Sequence, residues 1–409
     1  MLPPLLLPNI AAPLGTVSAL GPLALNAPII TTGDSWASGS VTYISAVDNR
    51  GERWSVPDAL WEYLGNKWRY TVQGNKAVSG TTSAQIAAQL AGALSTVPAS
   101  TPFVWFCPER FLNSLLAGTP ATSGLADWAT DIAAVRAAGG RCIIGTCPPA
   151  QPGNPFTGAQ ETQRGLFNVG TRALAAKDVK VIDYDTLNLV AGDYVNQIHL
   201  KTNGWDKAAA AIQSSGLLTA WLPSASVISN LSTEYTDNPG MTGGNSSGPS
   251  GWTVDTSHGG GATFAWDAST QTMTIGGAVV GTGNYIDIFR NSSNTPKPAV
   301  GDKIEVLIDY NIVSETCLLA IYANGTIWDS GFVTMASAGS SLYAPGVAET
   351  AADMARAAGN YVNRSPQVPV ANVGTGVPNY RFTDLKIYLN PGAANIVIKV
   401  NRLTMQKCV

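Results

Sequence analysis

The chain has 409 residues, of which 45% are hydrophobic and only 12% charged, and its formal net charge is −3. This length is more than one ordinary hydrophobic core serves, so we expect two domains. The near balance of charge and the absence of a Lys/Arg cluster argue against a nucleic-acid partner. The presence of only two histidines, His199 and His258, rules out most His-rich metal sites, and the sequence implies no metal or organic cofactor.

The first 27 residues are apolar but interrupted by prolines, and they lack a basic start. This pattern fits neither a signal peptide nor a membrane-spanning helix, so no membrane association is expected. We expect residues 1–27 to form an extended arm that packs on another subunit or a larger assembly. Five cysteines, odd in number and scattered, favour buried free thiols over a disulfide framework; they are Cys107, Cys142, Cys147, Cys317 and Cys408.

Residues 28–222 alternate short apolar runs with helical patterns. The predicted strands are "APIITT", "RYTVQGN", "TPFVWFC", "RCIIGTCPP" and "VKVIDY". The predicted helices are "SVPDALWEYLG", "TTSAQIAAQLAGAL", "GLADWATDIAAVRAAGG", "ETQRGLFNVGTRALAAK" and "NGWDKAAAAIQSSGLLTAWL". The alternation predicts an α/β domain with a doubly wound parallel sheet flanked by helices. In such a sheet, sites form at the carboxyl ends of the strands.

Beyond residue 222 the helical patterns nearly disappear. Residues 223–251 are turn-rich and read as a linker. Residues 252–409 contain short β-rich segments with period-2 alternation, which predict an all-β antiparallel sandwich, jelly-roll-like. One helical insert, "AETAADMARAAG", interrupts this second domain.

The stretch "TTGDSWASG" follows the first predicted strand and contains Ser35. Asp and Ser are common in turns and helix caps, which is one interpretation of this segment. The other is that Ser35 is a nucleophile, placed where a helix N-terminus favours a developing oxyanion. That chemistry also needs a histidine to accept the serine proton, a group that orients the histidine, and N–H donors.

Three ordered segments favour the nucleophile. "TTGDSWASG", "NKAVSGTTSAQ" and "NQIHLKTNGWDKAA" follow one another along residues 28–222, and together they resemble the sequence blocks of the SGNH/GDSL hydrolases. The resemblance implies that Ser35 is the nucleophile and His199 the general base. It also implies that the backbone N–H of Gly80 faces the oxyanion, where a glycine lets the backbone approach the substrate closely.

The third block of that family, GxND, is missing. Its place after the third strand is taken by "FVWFCPERFLN". The matching position is Arg110 or, one register back, Glu109. Arg110 could donate to an oxyanion and Glu109 could not, and Asn113 is a further substitute. The alternative for Arg110 is an ion pair with a neighbouring acid.

The orienting acid is also altered. Three residues before His199, where the family has an aspartate, this chain has Asn196, and Asp193 lies six residues before. Either residue could orient the histidine. An asparagine can accept a hydrogen bond from the ring but carries no charge to stabilise an imidazolium; the corresponding Asp-to-Asn change in a serine protease costs about 10⁴ in rate.

The resemblance implies a carboxylic ester hydrolase, and we predict removal of O-acetyl groups from a bacterial surface polysaccharide. The segment "NLSTEYTDNPGMTGG" looks like the junction in phage tail and tailspike proteins that carry such domains. A carbohydrate-binding second domain, a homo-oligomer or larger assembly, and a virion or extracellular location would fit that likeness, although fold alone does not establish function.

Two other functions stay open. The altered third block and Asn196 are compatible with a weakened or inactive hydrolase scaffold that binds a glycan or receptor as a structural virion protein. A lipase or thioesterase is the third possibility. Trp36 and Trp205 flank the proposed site residues and either line a sugar cleft or pack in the core, and His258 is expected in a loop.

Overall fold

The computed structural model describes eleven stretches of the chain, and the structural statements that follow concern these alone. They are residues 20–38, 60–61, 63–225, 233–292, 298–299, 301–316, 318–329, 332–341, 359–365, 368–370 and 380–407. Most of the predicted N-terminal arm, the start of the first predicted helix and residues 348–358 of the predicted insert lie outside the described residues, as do Cys317 and Cys408.

A five-stranded parallel sheet forms the centre of the first domain. Its strands lie in the order β2-β1-β3-β4-β5 and every neighbouring pair is parallel. β3 and β4 are almost entirely buried, which explains their continuous apolar sequence. The strands are β1 (Pro28–Thr31), β2 (Arg69–Asn75), β3 (Phe103–Cys107), β4 (Gly140–Gly145) and β5 (Val179–Ile182).

Five α-helices are described in full in this domain. Thr157 caps α4 by accepting from the Gln160 backbone N–H, while the Gln160 side chain accepts from the Thr157 N–H. Short 3₁₀ helices cover Tyr184–Thr186, Ala191–Asp193 and Thr219–Trp221. The α-helices are α1 (Ser83–Leu94), α2 (Leu112–Leu116), α3 (Ala121–Ala137), α4 (Gly158–Ala173) and α5 (Thr202–Ser214). No helix in the described stretches is long and apolar enough to cross a membrane.

The strand order indicates where a ligand site can form at the edge of the sheet. The chain moves from β1 to β2 on one side and then returns to β3 on the other side of β1. Right-handed crossovers in opposite directions put helices on both faces of the sheet. The connections that leave the carboxyl ends of β1 and β3 therefore lead to opposite faces, and the point between two such ends is the usual ligand position in open α/β sheets. The expectation of a parallel α/β domain is confirmed.

The second domain is all-β, as expected. One antiparallel sheet has the order β13-β10-β17-β8-β16, with β14 on β10 and β7 on β8; the other has the order β12-β11-β15-β9-β6. The jelly-roll topology stays a prediction. The strands are β6 (Thr253–Asp255), β7 (Ala262–Asp267), β8 (Thr272–Val279), β9 (Asn284–Ser292), β10 (Lys303–Ser314), β11 (Leu318–Asp329), β12 (Phe332–Ser341), β13 (Gly359–Arg364), β14 (Val368–Pro369), β15 (Tyr380–Leu389), β16 (Gly392–Ala393) and β17 (Ile396–Lys407).

Much of the predicted linker belongs to the second domain. Tyr235 and Met241 are buried in its core, and the Tyr235 backbone N–H bonds the Met405 carbonyl at 2.8 Å. The two domains meet at Glu305, whose carboxylate binds a first-domain arginine, Arg69, at 2.8 Å and a second-domain arginine, Arg364, at 2.7 Å. The connecting segment is therefore shorter than the 223–251 expected from composition.

Candidate active site

Ser35 lies where β1 leaves the sheet. The chain stays beside β3 for one more residue, because the Thr32 N–H bonds the Phe106 carbonyl at 3.1 Å, and it then turns at Gly33. Gly33 has φ +141°, and a Cβ atom there would lie 2.7 Å from the Ala37 Cβ. Only glycine fits this turn, and the turn sets Ser35 at the carboxyl edge of the sheet.

The structure brings Ser35 and His199 together across 164 residues of sequence. The Ser35 Oγ lies 2.8 Å from the His199 Nε2. The loop that carries His199 is fixed to the serine turn, because the Trp36 indole N–H donates to the Ile198 carbonyl at 3.0 Å. A hydroxyl within hydrogen-bonding distance of an imidazole is the geometry that proton transfer to a general base requires.

Asn196, and not Asp193, contacts His199. The Asn196 Oδ1 accepts from the backbone N–H groups of Ile198 and His199 at 3.0 and 2.9 Å and lies 3.2 Å from the His199 Nδ1. When Nδ1 carries the proton, it donates to this oxygen and leaves Nε2 free to accept from Ser35. Asp193 instead accepts from the Val190 N–H and pairs with a lysine.

The environment keeps His199 in its neutral form. Burial lowers the pKa of its imidazole below the usual 6.5. In the described part of the chain no carboxylate is bonded to the ring, so nothing offsets that loss of solvation. A neutral imidazole at neutral pH can accept the serine proton without first losing one of its own.

Two backbone N–H groups near the serine turn, those of Ser35 and Gly80, have no acceptor among the described residues. The loop that bears Gly80 is tied to the serine turn, because the Val78 N–H and the Thr81 hydroxyl both donate to the Gly33 carbonyl at 3.1 Å. Gly80 is exposed with φ +79°, and a Cβ there would face open space, so its backbone is accessible.

Arg110 does not belong to the site, which corrects the expectation of an oxyanion donor. Its side chain is fully buried, and it donates to the Ser83 hydroxyl and carbonyl, both at 2.9 Å, and to the Asp131 carboxylate at 2.7 Å. The guanidinium also lies 4.6 Å from the centre of the Trp128 ring. Arg110 therefore holds α1 against α3, and because its side chain is fully buried it is not accessible to a substrate.

Glu109 and Asn113 border the serine turn instead. The Asn113 amide nitrogen donates to Asp34 at 2.9 Å and to the Thr81 carbonyl at 3.1 Å, so both of its hydrogens are used. The Glu109 carboxyl lies beside that of Asp34, and both residues are at most 1% exposed. The contact between the Asp34 and Glu109 carboxyl groups was not predicted from the sequence. The feature that could have indicated it is the acid, Glu109, near the place of the GxND asparagine.

The tryptophans pack rather than line a cleft. Trp36 is completely buried and lies edge-on to Tyr184 at 5.0 Å and to Trp205 at 4.9 Å. His258 stacks on Tyr285 in the second domain, far from the serine in sequence and in fold. The described cysteines are buried free thiols, and the described residues contain no group of three or more His, Cys, Asp or Glu that could hold a metal.

The comparisons with known proteins give similar solved structures only. No family model and no curated protein matches the chain. A member of the lipolytic G-D-S-L family from Veillonella parvula is 16% identical, covering 47% of this chain and 98% of its own, with a TM-score of 0.34. A carbohydrate esterase family 3 protein from Talaromyces cellulolyticus is 14% identical, covering 47% and 97%, at 0.35. An acetyl-xylooligosaccharide esterase from Geobacillus is 13% identical, covering 50% and 99%, at 0.36. With identities and TM-scores this low, function has to be argued from the site itself.

Proposed function

We propose that this protein is a serine ester hydrolase that removes O-acetyl or other short acyl groups from a polysaccharide. The observation that carries the proposal is the 2.8 Å contact between the Ser35 Oγ and the His199 Nε2. Unoccupied N–H groups at Ser35 and Gly80 and an amide on the far side of His199 complete the set of groups that acyl transfer needs.

In the first half of the proposed reaction, the Ser35 oxygen attacks the acyl carbonyl and its proton passes to the His199 Nε2. The N–H groups of Ser35 and Gly80 bind the resulting oxyanion. The C–O bond to the sugar then breaks, and His199 returns the proton to the departing hydroxyl. Water attacks the acyl-enzyme in the same way, His199 again accepts a proton, and the carboxylic acid leaves as Ser35 regains its hydrogen.

The described rim of the site supports a polar substrate. Thr81, Asn113 and Asn196 border the serine turn and the histidine loop. A cavity of about 290 Å³ in the described first domain, lined by apolar residues such as Ile212 and polar ones such as Gln213, does not include Ser35. A short acyl group on a hydroxyl-rich carrier suits such a rim better than a long alkyl chain does.

The test is hydrolysis of an aryl acetate, together with release of acetate from an acetylated glycan. We expect Ser35→Ala to lower kcat/KM by at least about 10³-fold, since removing the nucleophile of a serine hydrolase removes most of its catalysis. Ser95→Ala, an exposed serine at the end of α1, is the matched control and keeps wild-type activity. Equal rates for the wild type and Ser35→Ala would refute the serine mechanism.

One observation favours a second candidate. The group on the His199 Nδ1 is the neutral Asn196, which stabilises an imidazolium less than a carboxylate does. A neutral residue at this position would be compatible with a glycan- or receptor-binding protein built on a weakened hydrolase scaffold. Binding of the acetylated glycan with no release of acetate would establish that alternative and exclude the esterase.

The proposal also includes an assembly. Residues 1–27 contain no charged side chain, but Leu23 and Ala27 are buried in the core of the first domain and the Leu23 N–H bonds the Trp221 carbonyl at 2.9 Å. Residues 1–19 are then the part of the predicted arm that would dock on a second copy or in a virion such as a phage tail. Light scattering of the full chain and of a variant without residues 1–19 tests this. We expect the truncated variant to lose the oligomer. If both proteins have the same number of subunits per particle, the arm is not the contact between subunits.

A further inference from the structure

The buried carboxyl groups of Asp34 and Glu109 lie side by side, directly behind the serine. Asp34 is 1% exposed and Glu109 is fully buried. The two groups are within hydrogen-bonding reach of each other, at the carboxyl ends of the neighbouring strands β1 and β3. Ionising both of two adjacent buried carboxyl groups costs a large amount of free energy, because each charge loses its solvation and repels the other.

The hydrogen bonds show which oxygen lacks a partner. Glu109 Oε1 accepts from the backbone N–H groups of Phe111 and Leu112, the latter at 2.7 Å. Glu109 Oε2 is buried, and no group among the described residues donates to it. A buried oxygen with no donor is costly as a carboxylate, but a proton on it would become the donor that the neighbouring Asp34 can accept.

Asp34 connects this pair to the catalytic groups. Its Oδ1 accepts from the Trp36 backbone N–H at 2.9 Å, which shapes the turn around Ser35. Its Oδ2 accepts from the Asn113 amide at 2.9 Å, which holds α2 against the turn. Both bonds need Asp34 as an acceptor, so the proton belongs on its partner.

We propose that Glu109 is a protonated carboxylic acid whose Oε2–H donates to Asp34, and that the pair positions the turn carrying Ser35. Its catalytic consequence rests on the proposed ester hydrolase function, whereas the protonation state does not. Glu109 is then a positioning residue, since it touches neither the serine nor a substrate.

The electrostatics agree with this assignment. Burial first, and then the charge of Asp34, raise the pKa of Glu109 well above its usual range, and burial raises the pKa of Asp34 to about 6. Arg110, next in sequence, is committed to Asp131, so no free cation in the described surroundings offsets the pair. The other titratable groups around the pair are His199, beyond Ser35, and the buried Cys107, Cys147 and Tyr184.

Infrared spectroscopy of the folded protein tests the protonation state without requiring turnover. Protein labelled with ¹³C at the glutamate carboxyl is compared with unlabelled protein near neutral pH. We expect one protonated-acid C=O band that shifts on labelling, that persists in Glu161→Gln and that is lost in Glu109→Gln. Glu161 is a matched control because it is half-exposed and paired with an arginine. Absence of the band in the wild type, or its persistence in Glu109→Gln, would overturn the proposal.

Activity against pH tests the positioning role. Gln at position 109 keeps a donor toward Asp34, so kcat/KM of Glu109→Gln near neutral pH stays within about fivefold of the wild type. The wild type loses activity at alkaline pH as Glu109 ionises against Asp34, and Glu109→Gln does not show that loss. A folded Glu109→Gln with its neutral activity abolished, or with the wild-type alkaline profile, would exclude the role. An inactive wild type that still shows the infrared band would refute the esterase and leave the proton assignment standing.

Discussion

Replacing Asn196 by aspartate should raise the rate of the proposed ester hydrolysis. The new carboxylate is isosteric with the amide, so one oxygen keeps the two backbone N–H bonds and both face the His199 Nδ1, at the 3.1 and 3.2 Å now spanned by the amide atoms. During catalysis His199 becomes an imidazolium, and Asn196→Asp places a negative charge beside that positive charge. The variant therefore stabilises the transition state more than the ground state.

The magnitude follows from the distance. Two unit charges about 4 Å apart at an effective dielectric of about 20 attract by about 4 kcal/mol. Asn196 is exposed and His199 is partly exposed, so solvent reduces this to about 1–2 kcal/mol. That range corresponds to a gain of about 5- to 30-fold in kcat/KM for Asn196→Asp.

The pH profile provides a second readout. A carboxylate at position 196 raises the pKa of His199, which burial now lowers, and the imidazole must be neutral to accept the serine proton. The acid limb of kcat/KM therefore starts below pH 6.5 in the wild type and moves to higher pH in Asn196→Asp.

The assay is aryl acetate hydrolysis from acid to alkaline pH. Gln197→Glu is the matched control: it adds the same charge one residue away, where the side chain now bonds the Pro155 carbonyl and not the histidine. A folded Asn196→Asp that is no faster than the wild type, with an unmoved acid limb, would refute the orienting role of Asn196.

Three further substitutions test the surrounding structure. Arg110→Met leaves Asp131 buried without its partner, so the free energy of unfolding measured in urea should fall by about 3–5 kcal/mol. The folded variant should keep its kcat/KM. A variant that is stable but inactive would support an oxyanion role for Arg110. Trp36→Phe removes the bond to the Ile198 carbonyl but keeps a ring, and kcat/KM should fall by about fivefold because one hydrogen bond contributes about 1 kcal/mol; an unchanged rate would contradict this. Glu305→Gln removes the buried carboxylate that pairs two partly buried arginines and should lower the free energy of unfolding by about 3 kcal/mol. No change in that free energy would mean that this contact adds no stability.

Local pattern was sufficient to predict the parallel sheet, whereas the catalytic pair came from the family resemblance. The continuous apolar runs of β3 and β4 indicate buried parallel strands, and both occur as expected. The resemblance of three ordered segments to the SGNH/GDSL blocks implied that Ser35 and His199 act together, and the structure has them 2.8 Å apart. The all-β character of residues after 252 followed from period-2 alternation.

Contacts between distant segments could not be predicted in the same way. Asn196 and Asp193 are only three residues apart, so the sequence did not decide which of them faces the imidazole. In the structure Asn196 does, because Asp193 pairs with Lys207 on α5. The position of Arg110 depended on Asp131, an acid on a different helix. Asp34 and Glu109 lie together because β1 and β3 are neighbours in the sheet. The composition of the two segments does not indicate which strands are neighbours.

The most direct test of the central claim is covalent trapping of the nucleophile. The wild type is treated with an aryl fluorophosphonate, and the modified peptide is mapped by mass spectrometry. We expect a single adduct on Ser35, lost in Ser35→Ala and formed much more slowly in His199→Ala, because the histidine at 2.8 Å activates the hydroxyl. An unmodified Ser35 in the folded wild type, or equal labelling with and without His199, would contradict it.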